Sequence, residues 1–81
     1  MSTPKIGVII PARNEEDAIA QVLRDIPATL SPTVVVVNNR STDRTAEIAR
    51  AHGAVVLDEQ RPGYGRVMLT GLEYFAQRPV D

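Results

Sequence analysis

The sequence predicts an α/β domain in which strands and helices alternate as β-α-β-α-β-α around a parallel sheet. Three observations favour this fold class. Residues 6–10 and 33–37 are short apolar runs without polar alternation, which is typical of strands buried on both faces. Each run is followed by apolar residues at helical spacing. Glycine, proline and polar clusters separate the segments, so we expect right-handed crossovers and half of a doubly wound fold.

The first strand and the first helix are predicted from residues 6–26. The run 6–10 is expected to stop at Pro11. Asn14 is a good helix N-cap, and the acidic residues 15–17 suit the positive end of the helix dipole. Pro27 ends this helix or follows its last turn. The apolar face of the helix consists of Ala18, Ile19, Val22, Leu23 and Ile26.

The second strand, residues 33–37, is β-branched throughout and is expected to be covered on both faces. One of the residues 41–43 caps the second helix, which runs to about His52. Gly53 supplies the position after the helix, where a positive φ favours glycine. His52 complements the helix dipole there, and a catalytic role for it is disfavoured.

The third strand is predicted over residues 54–57, and a polar loop, residues 58–63, leads into the third helix. This helix begins at about Tyr64, and Pro79 blocks its continuation. Its predicted apolar face consists of Met68, Leu69, Leu72, Phe75 and Ala76.

Composition excludes several classes of function. The 81 residues contain 9 Lys plus Arg and 10 Asp plus Glu, so no excess of positive charge points to nucleic acid. Without cysteine there is no disulfide framework and no cysteine-ligated metal site, and a single histidine excludes a histidine-rich one. No apolar run approaches the ~20 residues of a membrane span, and no signal peptide is apparent. A cytoplasmic setting is expected.

Ligands of doubly wound folds bind at the carboxyl ends of the strands, which directs attention to three loops. In the first, residues 11–16, carboxylates accept hydrogen bonds from sugar hydroxyls or a base N–H, although they also suit the helix dipole alone. In the second, residues 38–43, Asn38 leaves the buried strand and suits the edge of a nucleobase, whereas Asp43 is expected to cap the helix. The third, residues 58–65, contains two glycines.

Gly63 and Gly65 permit close approach of a ligand to the backbone at the start of the third helix. Free N–H groups there, with the positive charge of Arg61 and Arg66, suit a pyrophosphate. An ordinary flexible turn is the alternative. Together the loops predict a divided site, with base and ribose at one end and a diphosphate at the other.

Several ordered motifs resemble those of the family 2 inverting glycosyltransferases. Residues 8–16 resemble the opening strand followed by Pro-x-x-Asn-Glu, and residues 34–45 resemble Val-Asp-Asp/Asn-Gly-Ser-x-Asp-Gly-Thr. Residues 53–56 and 63–72 match the next stretch in order and spacing. The resemblance is closest to the polyprenyl-phosphate sugar synthase-like branch.

The resemblance implies a three-layer, Rossmann-like GT-A unit with a parallel sheet in the order 3-2-1. It also implies that residues 1–81 are the N-terminal, nucleotide-sugar-binding half of an incomplete transferase domain. The expected partner is a uridine or guanosine diphosphate sugar. The residues expected to contact it are Pro11, Ala12, Arg13, Glu15, Asn38, Asn39, Gly63, Tyr64 and Gly65.

Two positions depart from the family pattern. Asn38 replaces the usual aspartate, so base binding is expected to be weaker or altered. Arg40 replaces the usual glycine, which costs about 1 kcal/mol or more if that position needs a positive φ.

The family's metal-binding Asp-x-Asp and its catalytic base lie beyond the region of resemblance, and no Asp-x-Asp occurs here. A complete member is expected to use Mg or Mn, whereas no catalytic residue, metal ligand or cofactor is assigned in this chain. It is therefore expected to be inactive alone in transferring a hexose to a lipid phosphate or other hydroxyl. The alternative is an α/β domain that dimerises through the exposed edge of its first strand. A phosphoacceptor receiver is disfavoured.

Overall fold

The computed structural model describes residues 6–78 and contains a three-stranded parallel sheet with helices on both faces. The strands are β1 (Gly7–Ala12), β2 (Thr33–Asn38) and β3 (Val55–Asp58). The helices are α1 (Ile19–Arg24), α2 (Thr45–Ala51) and α3 (Tyr64–Gln77), and a 3-10 turn covers Ala28–Leu30. No helix in this part of the chain is both long and apolar enough to cross a membrane. Pro79, the predicted stop for α3, lies outside the described residues.

The central strand β2 carries the core on both of its faces. Val35, Val36 and Val37 have no exposed surface, which confirms the interpretation of the β-branched run. Val36 packs with residues of α1 and α2, whereas Val35 and Val37 pack with Val67 of α3. The predicted α/β class and its three layers are therefore confirmed.

The sheet order is β1-β2-β3, with both neighbouring pairs parallel. This is the predicted order 3-2-1 read from the opposite edge. Because the strands are parallel, their carboxyl ends meet at one edge, where Ala12, Asn38 and Asp58 stand in register.

Strand β1 does not stop at Pro11, as the sequence predicted, but continues to Ala12. Thr33 N–H donates to the Ile6 carbonyl, and Asn39 N–H donates to the Ala12 carbonyl. The backbone N–H and C=O groups of the even-numbered residues in this segment therefore point towards β2. The backbone groups of Gly7, Ile9 and Pro11 therefore point to the outer edge, where no other described strand lies. Pro11 is tolerated because its missing N–H costs no bond within the sheet.

The start of α1 also differs from the prediction. The helix begins at Ile19, and Ala18 rather than Asn14 occupies the N-cap position. Asn14 has a φ of 52°, a left-handed conformation that asparagine tolerates better than most residues. Gly53, in contrast, has the positive φ predicted for it, 86°.

Only part of the predicted apolar face of α3 packs against the sheet. Val67 and Gly71 are buried against the sheet and Phe75 is partly buried, but Leu69 and Leu72 are 42% and 56% exposed and Ala76 is also exposed. A Cβ atom built on Gly71 would lie 2.6 Å from Cγ2 of Ile9. The absence of a side chain at Gly71 thus lets the helix axis approach β1 closely, and this contact sets the rotation of α3.

Candidate functional site

A cleft of about 360 Å³ opens at the carboxyl ends of the strands, bordered by all three predicted loops. Loop 1 (residues 13–18) follows β1, loop 2 (residues 39–44) follows β2, and loop 3 (residues 59–63) connects β3 to α3. The cleft is lined by Pro11, Ala12, Arg13, Glu15, Asn39, Gly63, Tyr64 and Val67.

Seven of the nine residues predicted for the site line this cleft, and Asn38 and Gly65 do not. Gly65 lies in the first turn of α3, next to the lining residue Tyr64. Val67 was missed by the sequence prediction. The signal that could have identified it is its position one turn into α3, on the same helix side as Gly71.

The sequence assigned the base contact to Asn38, which does not line the cleft. Asn38 lies on the same face of β2 as Val36, towards α1 and α2, because side chains alternate along a strand. Its Nδ2 atom donates to Oδ1 of Asp58 at 3.0 Å, and its Oδ1 atom is buried without a partner among the described residues. The side chain therefore belongs to the edge of the sheet and not to the cleft wall.

Asn39, the next residue, presents its side chain to the cleft. Its Nδ2 atom donates to the backbone carbonyls of Glu59 at 2.8 Å and of Arg61 at 3.0 Å. A carbonyl oxygen can only accept, so these two bonds determine which end of the amide is nitrogen. The Oδ1 atom of Asn39 consequently remains as an acceptor, and no described residue donates to it.

Loop 3 is held in place by the carboxylate of Glu59, which is only 5% exposed. It accepts hydrogen bonds from the backbone N–H of Arg61 at 2.8 Å, from Nε of Arg61 at 2.9 Å and from the hydroxyl of Thr70 at 2.6 Å. The Arg61 and Thr70 donors hold the pKa of Glu59 well below its usual range.

Arg61, whose positive charge was predicted to suit a pyrophosphate, is paired with Glu59 in the structure. Its guanidinium pairs with Glu59 through Nη2 at 2.7 Å and Nε at 2.9 Å, so its charge is largely neutralised. Arg61 instead supplies the carbonyl that orients Asn39. Arg66 forms no ion pair within residues 6–78.

Loops 1 and 2 are joined by hydrogen bonds between residues far apart in sequence. Asn14 N–H donates to Oγ of Ser41 at 2.9 Å, and its Oδ1 atom accepts from Thr42 N–H at 2.8 Å. The left-handed backbone of Asn14 serves these contacts and not a helix cap.

A second connection passes through Thr45, which is completely buried. Its hydroxyl accepts from Glu15 N–H at 2.8 Å and donates to the carboxylate of Asp43. Asp43 also accepts from Thr45 N–H, an Asx turn that leads into α2. These hydrogen bonds, above all the one from the Thr45 hydroxyl, lower the pKa of Asp43. The N-cap position itself is occupied by Arg44 and not by one of the predicted residues 41–43.

Arg40 lies in loop 2 with a φ of 62°. This is the positive φ considered in the sequence analysis, so the arginine carries the strain of a position that favours glycine.

Residues 6–78 contain no group of three or more His, Cys, Asp or Glu that could hold a metal ion.

The sequence profile of a known protein family, glycosyl transferase family 2, matches residues 7–78, which includes the three strands, the three helices and the cleft. The chain belongs to glycosyl transferase family 2. The resemblance to family 2 that the sequence motifs indicated is thereby confirmed.

Two curated relatives show what share of a longer protein the chain matches. It is 43% identical over 72 residues to an uncharacterized glycosyltransferase of Mycobacterium tuberculosis, covering 89% of this chain and 32% of the relative. It is 40% identical over 74 residues to the low-salt glycan biosynthesis hexosyltransferase Agl6 of Haloferax volcanii, covering 86% of this chain and 18% of that protein. The chain thus spans about a third or less of these relatives.

Solved structures of similar proteins share the fold. The glucosyl-3-phosphoglycerate synthase of Mycobacterium tuberculosis, crystallised with Mn²⁺, uridine-diphosphate-glucose and glycerol 3-phosphate, superimposes with a TM-score of 0.76 at 32% identity. The matched region covers 86% of this chain and 29% of that structure. The same enzyme crystallised with uridine diphosphate matches with the same TM-score and identity.

Proposed function

We propose that the cleft binds the nucleoside diphosphate part of a sugar nucleotide, and that residues 1–81 are the N-terminal donor-binding part of a hexosyltransferase. The acceptor is a lipid phosphate or another hydroxyl compound. Family membership supports the reaction class. The complexes of glucosyl-3-phosphoglycerate synthase with uridine diphosphate and with its glucose derivative support the donor class.

The observation that carries this proposal is the orientation of Asn39 at the cleft. Two backbone carbonyls hold its nitrogen, so its oxygen is available to accept a hydrogen bond from a ligand. Uracil and guanine each present a ring N–H, whereas the corresponding ring nitrogens of cytosine and adenine are acceptors. A donor nucleotide of uridine or guanosine is therefore favoured.

The opposite end of the cleft suits the diphosphate. Gly63, Tyr64 and Gly65 lie where α3 begins, and the first intrahelical bond runs from Val67 N–H to the Gly63 carbonyl at 3.2 Å. The preceding N–H groups of the helix have no partner within it, and they attract an anion. In the proposed complex Pro11, Ala12 and Glu15 line the base and ribose, as the family resemblance implies.

Transfer itself is expected to need residues that this chain does not supply. Donor binding requires only the cleft, whereas the departure of the diphosphate needs charge neutralisation and the acceptor hydroxyl needs a base. No described cluster suits the Mg²⁺ or Mn²⁺ expected in a complete member, so we propose binding without turnover.

Isothermal titration calorimetry of the 81-residue chain tests the proposal with uridine, guanosine, cytidine and adenosine diphosphates. We expect uridine or guanosine diphosphate to bind at least about tenfold more tightly than the cytidine and adenosine compounds, because the latter place an acceptor against Asn39. Equal binding of all four, or no binding of any, would contradict the proposal.

A matched pair of variants assigns the effect to the correct asparagine. Asn39→Ala is expected to abolish the discrimination between bases, whereas Asn38→Ala is expected to retain it because that side chain lies away from the cleft. Circular dichroism of both variants checks that the fold is intact. If only Asn38→Ala lost the discrimination between bases, the base contact would belong to Asn38, as the sequence predicted.

One observation favours a second role, self-association through β1. The outward backbone groups of Gly7 and Ile9 have no partner strand among residues 6–78, and the strand contains no charged residue. Protection of the Ile9 amide from hydrogen exchange that increases with protein concentration would support pairing at this edge. Fast exchange of Ile9 at every concentration would count against it.

A further inference from the structure

Helix α3 carries a second apolar stripe on the side that faces away from the sheet. Its members are separated by intervals of four, three and four residues and are all exposed. The stripe consists of Gly65, Leu69, Leu72 and Ala76. Since the sheet already occupies the opposite side, at Val67 and Gly71, this helix is apolar on two faces.

The spacing of the stripe is that of a helix-to-helix seam. When two copies of α3 pack antiparallel about a two-fold axis, Leu69 of one lies opposite Leu72 of the other. Gly65 then lies opposite Ala76, since both pairs are symmetric about the middle of the helix. Leucines would thus fill the centre, and small residues at both ends would let the helices approach closely.

The charges beside the stripe are complementary in the same arrangement. Arg66 and Glu73 flank it on one side, and neither forms an ion pair within the described residues. An antiparallel pair places Arg66 near the partner's Glu73, and the symmetry repeats the contact. In a parallel pair about a two-fold axis this flank lies on opposite sides of the seam in the two copies, so the contact between Arg66 and Glu73 does not form.

We infer that α3 is a self-recognition surface through which two copies of this chain pair in antiparallel orientation. The formal net charge of −1 offers little repulsion against association. One pair of 14-residue helices buries less than the roughly 1,200 Å² typical of stable complexes, so the dimer forms in a concentration-dependent manner.

Sedimentation velocity from micromolar to sub-millimolar concentration measures the association of the 81-residue chain. We expect a shift from monomer to dimer as concentration rises. Leu72→Glu is expected to raise the dissociation constant at least about tenfold, because the pairing would bury an uncompensated charge. Val22→Glu is the matched control, since Val22 is also an apolar helix residue with 43% exposure, but lies on α1.

Charge reversal tests the antiparallel register. Arg66→Glu and Glu73→Arg are each expected to weaken the dimer, because each places like charges across the interface. The double variant is expected to restore association, since it re-creates both opposite-charge contacts in exchanged positions. Rescue would not occur in a dimer formed elsewhere on the molecule.

Several outcomes would overturn the inference. These are a monomer at every concentration, equal effects of Leu72→Glu and Val22→Glu, or no rescue in the double charge reversal. Concentration-dependent protection of the Ile9 amide with no effect of Leu72→Glu would also overturn it, because that result places the contact at the edge of β1.

Discussion

The hydroxyl of Thr45 connects loop 1 to loop 2, and replacing it by Thr45→Val isolates the energy of this connection. Valine has nearly the same shape, so packing around the fully buried site is retained. The variant loses the hydrogen bond from Glu15 N–H and the one to Asp43, and it leaves the Glu15 donor without a partner. Two lost bonds and one stranded donor cost about 2–3 kcal/mol.

That loss is large for a domain of this size. At about 0.05–0.15 kcal/mol per residue, the whole chain is stable by roughly 4–12 kcal/mol. Each kcal/mol shifts the Tm of such a domain by about 4–8 °C, so Thr45→Val is expected to lower it by roughly 10–20 °C. Urea unfolding followed by circular dichroism measures the free energy directly.

Thr45→Ser is the matched control, because it keeps the hydroxyl and removes only a methyl group. It is expected to cost about 0.8 kcal/mol, the transfer energy of one carbon. The reasoning fails if Thr45→Val is as stable as Thr45→Ser. Since Glu15 lines the cleft, Thr45→Val is also expected to weaken nucleotide binding more than Thr45→Ser does.

Three further predictions concern the backbone, the pH dependence and the packing of α3. Arg40→Gly is expected to stabilise the chain by about 1 kcal/mol in urea unfolding, because φ is 62° there; a loss of stability would contradict this account. The folded-state pKa of Glu59 is lowered, so its contribution is complete above its unfolded pKa of about 4.3 and is lost as pH falls through the folded value. The free energy of unfolding should decline below about pH 4.5, and the decline should be shallower in Glu59→Gln. Identical pH profiles for the two proteins would refute this role of the Glu59 carboxylate. Gly71→Ala is expected to lower the free energy of unfolding by about 1–3 kcal/mol, because the new Cβ would lie 2.6 Å from Ile9. Gly65→Ala has open space around the new Cβ and should be neutral or stabilising. Equal stability of the two variants would exclude the close contact between Gly71 and Ile9.

The sequence by itself determined the order of elements, the burial of β2 and the edge of the sheet where the cleft lies. These features depend on local patterns: the run of valines 34–37, the helical spacing of apolar residues after each strand, and the positions of Gly53 and Gly63 between helices and strands. Each of these patterns spans only a few consecutive residues, so it can be recognised without knowledge of distant contacts. The motifs also identified the family.

The tertiary structure alone decided the details that depend on which face a residue presents. The candidate base contact is Asn39, the first residue of loop 2, and not Asn38 at the end of β2, because successive side chains point to opposite sides. Pro11 remains in β1 because its nitrogen faces the unpaired edge. Arg61 is neutralised by Glu59, and the rotation of α3 follows from the contact between Gly71 and Ile9. The Gly71–Ile9 contact joins residues far apart along the chain, and neither it nor the directions of Asn38, Pro11 and Arg61 can be read from a local window of sequence.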